Sequence, residues 1–397
     1  MSLSNELRDP KGFAASQVGA SRLLALDGLR GAAALGVAVY HRQFFFLASR
    51  DFLPEGWIFV DLFFLISGVV MMHVYEERIV RGTIGFAEFL THRIARLWPL
   101  HLFAMLSMGV LVALHEWRHP GLFHLMNWDA PLYTFVLNLF LLQNIGLFQA
   151  PTWDGNAWSL SPEIALNLLW FYLVSRGRLT SRLLVAAVAV AAVALSTRGP
   201  LNGGLWDSHL VRSAISFGWG CLLYRHFLRH PPSGAGLAAK NVWSAVVSAL
   251  FLAITFLVPS KYSALATHWD YLCVLFLFPA AVYLTLQEGT FLNRIFSSKP
   301  FVFLGLISYS VYLLHVQIAI VLQDAFFLFH TQVKAPFAGL LFLAIVIVAA
   351  TLTFHFVENP CRRRLRSGLQ PFLEKICFDI DRPATPSPRR KAPDSNH

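Results

Sequence analysis

Apolar stretches of about 20 residues, the length a helix needs to cross a bilayer core, recur along most of the chain and are separated by short polar breaks. The breaks differ in charge. Basic ones fall at 76–97 (Arg78, Arg81, Arg93, Arg96), 176–182 (Arg176, Arg178, Arg182), 225–240 (Arg225, Arg229, Lys240), 287–300 (Arg294, Lys299) and from 358 onward (Arg362, Arg363, Arg364, Arg366). Those between them hold only Arg42 and Arg50, Arg118, Arg198, Lys261 and Lys334. Basic loops stay on the cytoplasmic side of a membrane. The alternation therefore predicts an all-α polytopic membrane protein of about ten transmembrane helices, with both termini cytoplasmic. Residues 1–22 form a cytoplasmic segment, 23–366 the transmembrane domain, and 367–397, rich in Pro, Ser and Arg, a disordered cytoplasmic tail.

One stretch breaks the alternation. YTFVLNLFLLQNIGLF, residues 133–148, is apolar enough to span, yet a crossing there turns Arg176, Arg178 and Arg182 outward and inverts every later loop. It is predicted to be re-entrant or interfacial, between helices 3 and 4, an arrangement tolerated where protein or a cavity surrounds the backbone. The fourth span then begins near Trp158.

Composition agrees with this picture. Of 397 residues, 56% are hydrophobic and 14% charged, against about 25% charged in soluble domains. The net charge of +10 sits largely in short loops and the tail, so membrane orientation accounts for it and nucleic acid is not expected as a partner. Cys221, Cys273, Cys361 and Cys377 show no CxxC pair and no disulfide-like spacing, which suits packing residues or cytoplasmic thiols. No cleavable signal precedes the first apolar run, which is expected to be an uncleaved anchor.

Against this background the costly side chains stand out. In LDGLRGAAALGVAVYH, residues 26–41, Arg30 and His41 are eleven positions apart. That is nearly three helical turns, so they share a face about 16 Å apart. The rest of the face is small (Ala33, Ala34, Val37, Ala38) and is expected to leave a lane for a long ligand entering from the cytoplasm and reacting near His41. The alternative is that Arg30 snorkels to head groups and His41 bonds a neighbouring helix. An arginine at mid-membrane costs roughly 2.5–3.5 kcal/mol on insertion scales, so such residues default to functional candidates.

Other polar islands add to the pair. Arg93 and Arg96 lie on one face at the entrance of the third span, where planar guanidinium groups suit phosphates and also serve as a positive-inside signal. Trp158, Ser159, Ser161 and Glu163 crowd the outer start of the fourth span. Ser161-Pro162-Glu163 fits a helix cap with a dipole-compensating carboxylate; Glu163 equally suits orienting His41. Ser308, Tyr309 and His315 lie in the ninth span and Arg212 near the outer end of the sixth.

Arg30 with His41, FFLISG (63–68), HRIARLWPLHLF (92–103), WSLSPE (158–163), VRSAISFGWG (211–220), SYSVYLLH (308–315) and VENPCRR (357–363) together resemble, in this order, the acyltransferase-3 family of bacterial membrane acyltransferases. The resemblance implies ten helices and a cytoplasmic acyl-CoA donor, acetyl-CoA foremost. It implies transfer to a hydroxyl of a cell-surface or secreted carbohydrate or glycolipid on the outer face of the bacterial cytoplasmic (inner) membrane. By the same resemblance His41 is the essential histidine with Glu163 beside it, and Arg30, Arg93 and Arg96 are donor contacts. Trp158, Ser159, Arg212, Tyr309 and His315 fall on pocket positions, and no metal is implied. Pro162 stands where valine is usual and His101 where tyrosine is common, and no fused esterase-like domain is expected.

Two rivals are weighed. HEWRH, 115–119, is a literal HExxH, the helical zinc-protease motif. Pro120-Gly121 follow at once, however, and the next glutamate is Glu163. A transporter is the other, but the inverted repeats of many transporters are not visible. His119, His124, Trp128, Asp129 and Trp153 are candidates to touch the acceptor, with interfacial placement as their plainer explanation.

Overall fold

The computed structural model describes residues 17–45, 53, 55–118, 131–145, 153, 155–197, 209–229, 236–257, 269–328 and 335–376. Every regular element among them is helical. In order they are α1 (Gln17–Phe45), α2 (Phe59–Met71), α3 (Glu77–Val80), α4 (Phe86–Arg118), α5 (Pro131–Leu139), α6 (Leu160–Ser175), α7 (Ser181–Ser196) and α8 (His209–Leu223). There follow α9 (Leu237–Leu257), α10 (Trp269–Leu272), α11 (Phe278–Thr285), α12 (Phe291–Phe296), α13 (Lys299–Leu328), α14 (Ala335–Thr353) and α15 (Asn359–Ile376).

Several of these are one rod interrupted by a wide π turn. Met72–Glu76 joins α2 to α3, Cys273–Leu277 joins α10 to α11, and Phe354–Glu358 joins α14 to α15. An extra residue in a turn re-aims the side chains around it and is frequent at functional sites. Buried Tyr75 and Glu358 each occupy such a turn.

Among the described residues, four helical rods are long and apolar enough to cross a membrane: Gly56–Val80, Phe86–Arg118, Lys299–Phe326 and Phe337–Ile376. Three shorter apolar helices, Ser181–Ser196, Leu237–Ala253 and Trp269–Thr285, accompany them. Large apolar side chains such as Val190, Val242, Phe337 and Leu340 point outward, as a lipid-facing surface requires. The helix α5 has nine residues among those described, about 13 Å of rise. The chain turns just beyond its end, at Leu141 in left-handed backbone (φ 57°), while Asn138, Gln143 and Asn144 turn inward and are buried. Residues 146–148 of the interrupted stretch lie outside the described residues.

Close seams organise the bundle around α1 and α2. A Cβ at Gly305 would sit 2.2 Å from the Asp27 backbone oxygen, and one at Gly31 would lie 2.4 Å from the Gly305 nitrogen. Only hydrogen fits there, so α1 and α13 touch backbone to backbone, the usual reason for small residues between membrane helices. Gly220 against Leu65 makes the same approach between α8 and α2.

This packing corrects the lane expected along α1. Ala34 and Ala38 are buried with Ile307, Val311, Phe342 and Val346 of α13 and α14, and Ala33 and Val37 are buried in the main core. The small face is a helix seam, with no room for a ligand. A second correction concerns the tail: residues 367–376, expected to be disordered, continue α15 as helix. Residues 377–397, including Cys377, lie outside the described residues.

Candidate active site

The open space lies on the other side of Arg30. Two adjoining cavities share Arg30, Val70, Arg93 and Arg96. The proximal cavity, at the end of the bundle where α1 begins, has about 1000 Å³ of empty volume. The distal one, about 750 Å³, runs between α2, α4, α6 and α13. Its polar wall is made by Ser159, Glu163, Ser308, Tyr309 and Tyr312, and its apolar wall includes Phe63 and Phe64.

Each arginine at the junction has a different degree of restraint. Arg30 pairs with Asp27 at 2.8 Å and donates from Nη2 to the Gly305 carbonyl and from Nε to Ser308 Oγ, both at 3.1 Å. It is locked to α13. Arg93, 5% exposed, donates to Tyr75 Oη at 3.3 Å and lies over the Tyr75 ring, but its Nε is buried with no hydrogen-bond partner. Arg96 and Glu163 both line the distal cavity and neither enters an ion pair among the described residues. Unsatisfied donors at a roomy site are the groups a polar ligand would complete.

His41 meets a partner that sequence did not assign to it. His41 Nδ1 lies 3.0 Å from the Val37 carbonyl, and His315 Nδ1 lies 3.1 Å from that of Val311. Carbonyl oxygens only accept, so both Nδ1 atoms carry hydrogen. His315 Nε2 is then an acceptor, and it stands 3.1 Å from His41 Nδ1. The tautomer this network assigns puts the lone pair of His41 on Nε2. His315 is fully buried, and its ring is 6.2 Å from that of Tyr312, which lines the distal cavity and shares a 2.8 Å hydrogen bond with Ser159. Glu163 lines the distal cavity together with Arg30, Arg93 and Arg96.

A family model described as an acyltransferase domain matches residues 23–355, most of the chain. The chain belongs to the acyltransferase family. It is 24% identical over 367 residues to the peptidoglycan O-acetyltransferase of Listeria monocytogenes, covering 85% of this chain and 56% of that protein. It is 34% identical over 188 residues to protein 2 in the picA locus of Rhizobium radiobacter, covering 45% of this chain and 96% of that protein. The chain thus spans little more than half the length of the first of these relatives. No solved structure matches it.

Within this family domain the remaining expected site residues divide. Tyr309 lines the distal cavity and donates to the Leu97 carbonyl at 2.6 Å, tying α13 to α4 just beyond Arg96. Ser159 lines it as well. Arg212 does not: it is 3% exposed and holds Asp61 with paired 3.1 Å hydrogen bonds from Nε, its guanidinium over the rings of Trp57 and Trp158. Trp158 also lies against His209, ring centroids 4.4 Å apart. Arg212 and Trp158 are therefore packed together, and neither lines the two cavities, although the Trp158 ring lies 6.4 Å from that of Phe64 in the distal wall.

Trp153 likewise packs inward, its Nε1 donating to Thr134 Oγ1 at 3.0 Å. His101 is buried and donates from Nε2 to the Asn138 carbonyl at 2.8 Å, which anchors α5 to α4. Ser161 is not a cap: α6 begins at Leu160, and the Ser161 hydroxyl is buried without a partner. His119, His124, Trp128 and Asp129 lie outside the described residues, so the HEWRH motif is only partly within them.

Sequence reasoning missed Asp61, Tyr75, Tyr312 and Glu358. Asp61 had a signal, an acidic residue inside FVDLFFLISG, where a mid-membrane carboxylate is as costly as the arginine it serves. Tyr75 and Tyr312 had none, since aromatic residues are ordinary in such helices.

Proposed function

We propose that this acyltransferase is a membrane-embedded O-acyltransferase that takes an acyl group, acetyl foremost, from acyl-CoA on the cytoplasmic side. It passes the group to a hydroxyl of a cell-surface carbohydrate or glycolipid on the other face. The observation that carries the reading is the arginine-lined cavity at the start of α1, adjoining through shared wall residues a polar cavity that reaches Tyr312, whose ring lies 6.2 Å from that of His315. Guanidinium groups suit the donor's phosphates, and a narrower mixed cavity suits its pantetheine arm. We infer ten crossings, taking α1, α6 and α8 as spans beside the seven apolar helices, and a re-entrant or interfacial α5, a reading supported by its hydrogen bonds to α4.

In this mechanism His41 Nε2 takes the proton of the acceptor hydroxyl as its oxygen attacks the thioester carbonyl. The C–O bond forms, the C–S bond breaks, and the departing thiolate recovers the proton from His41. A positioned base contributes about 10²–10⁴-fold. Attack by Nε2 itself, giving an acyl-histidine that the hydroxyl then resolves, uses the same tautomer.

The test is incubation of cell envelopes with radioactive acetyl-CoA. Label is expected in an envelope carbohydrate in the wild type and absent in a correctly inserted His41→Ala strain. Equal labelling in both strains overturns the role of His41; no labelling in either, with substrate flux in reconstituted vesicles, overturns the enzyme reading.

A further inference from the structure

The proximal cavity contains more positive charge than the three arginines read from sequence as donor contacts, Arg30, Arg93 and Arg96, account for. Six arginines line it, Arg30, Arg78, Arg93, Arg96, Arg362 and Arg366, against the single carboxylate Asp27. Arg78 is engaged by Glu88 at 3.2 Å, and Arg30 by Asp27. Glu358 is buried nearby and accepts from Ser310 at 2.7 Å. Arg366 enters no ion pair among the described residues. The buried, unpartnered Arg93 Nε is a second sign that the space is built for an anion that brings its own acceptors.

The six fall into two groups by position. Arg30, Arg93 and Arg96 line both cavities, whereas Arg78, Arg362 and Arg366 line the proximal one alone. Arg362 and Arg366 come from α15, four residues apart and hence on one face of the helix. That helix packs on α4 and lies beyond residues 23–355 matched by the family model. Arg362 is half-buried and Arg366 exposed at the mouth of the cavity, whereas the exposed Arg363 and Arg364 line neither cavity.

We propose that α15 completes the donor site, with Arg362 and Arg366 seating the phosphomonoester at the nucleotide end of acyl-CoA. This rests on the acyl-CoA reading above. The donor is linear: thioester, pantetheine arm, diphosphate, then a ribose bearing a 3′-phosphate. With the thioester toward Tyr312, the arginines shared by both cavities fall at the diphosphate. Those confined to the proximal cavity fall at the ribose phosphate. A guanidinium pair on one helical face offers the planar, multidentate recognition that a phosphomonoester takes.

Full-length protein in nanodiscs, with acetyl-CoA and acetyl-dephospho-CoA as the two probes, tests the assignment. Wild type is expected to bind acetyl-CoA about ten-fold or more tightly than the dephospho form, the scale of a lost charge-assisted contact. The R362Q/R366Q double variant is expected to lose the discrimination and to bind both probes as weakly as wild type binds the dephospho form. R96Q is expected to weaken both probes and to keep their ratio, and the exposed control R364Q to change neither. R362K/R366K, which keeps charge but loses the fork, is expected to recover part of the discrimination and guards against a folding defect.

If wild type binds no acetyl-CoA, the donor reading itself fails. If wild type discriminates and R362Q/R366Q discriminates equally, the donor reading stands and the assignment of α15 is overturned. If the double variant instead loses affinity only for phosphatidylglycerol vesicles, the arginines serve a lipid headgroup, and the assignment is likewise overturned.

Discussion

Two arginine sites at opposite ends of the bundle show what burial does with the same side chain. At the distal end Arg212 is enclosed: Asp61 accepts from it, Ser216 Oγ donates to the same carboxylate at 3.3 Å, and two tryptophan rings cover it. At the proximal junction Arg93 and Arg96 face empty volume, and neither enters an ion pair among the described residues. A buried charge is tolerated only when its partner is built in or supplied from outside. The first arrangement is closed and holds α2 to α8; the second is complete only with a ligand.

Substitutions separate the two. The largest effect is expected where the cavities end: His41→Ala lowers turnover by about 10²–10⁴-fold, read by acetyl transfer with purified protein, while its thermal unfolding stays near wild type. A stability loss matching the activity loss would instead make His41 a packing residue like Arg212.

Asp61→Ala strands Arg212 in a dry site and is expected to cost about 3–5 kcal/mol, measured by thermal unfolding in detergent. The double change Asp61→Leu with Arg212→Met removes both charges and is expected to recover most of that loss. If the double variant folds well yet is inactive, Arg212 has a role in the chemistry after all.

Gly305→Val places a Cβ where the Asp27 carbonyl already sits, 2.2 Å away. Overpacking at this seam is expected to cost about 1–3 kcal/mol. It is expected to lower activity as well, because Gly305 and Asp27 both hold Arg30. Arg96→Gln is expected to leave unfolding within about 0.5 kcal/mol and to raise the KM for donor about ten-fold. An unfolding shift as large as that of Asp61→Ala would erase the distinction between the two arginine sites.

The order of helices, the short polar breaks and the arginines of the proximal mouth were legible in the residues, because the cost of a charge in an apolar setting is a local property. The partners were not. Asp61 and Arg212 are 151 positions apart, and His41 and His315 are 274 apart. Both ends of each contact lie on helices apolar nearly all round, where hydropathy does not say which face meets which neighbour. The small residues of α1 mark the same limit: Ala34 and Ala38 suit a ligand lane and a close helix seam equally well, and only the position of α13 decides for the seam.

Sequence alone determined that this chain forms membrane helices, where its charges interrupt them, and to which family it belongs, since each follows from residue chemistry and order. Tertiary structure decided the rest. The rotation and crossing of α1, α2, α4 and α13 turned Arg212 into a sealed ion pair and left Arg93 and Arg96 open to a cavity. A transmembrane charge must be satisfied by whatever lies within a few ångströms, and that neighbour is set by packing across the bundle.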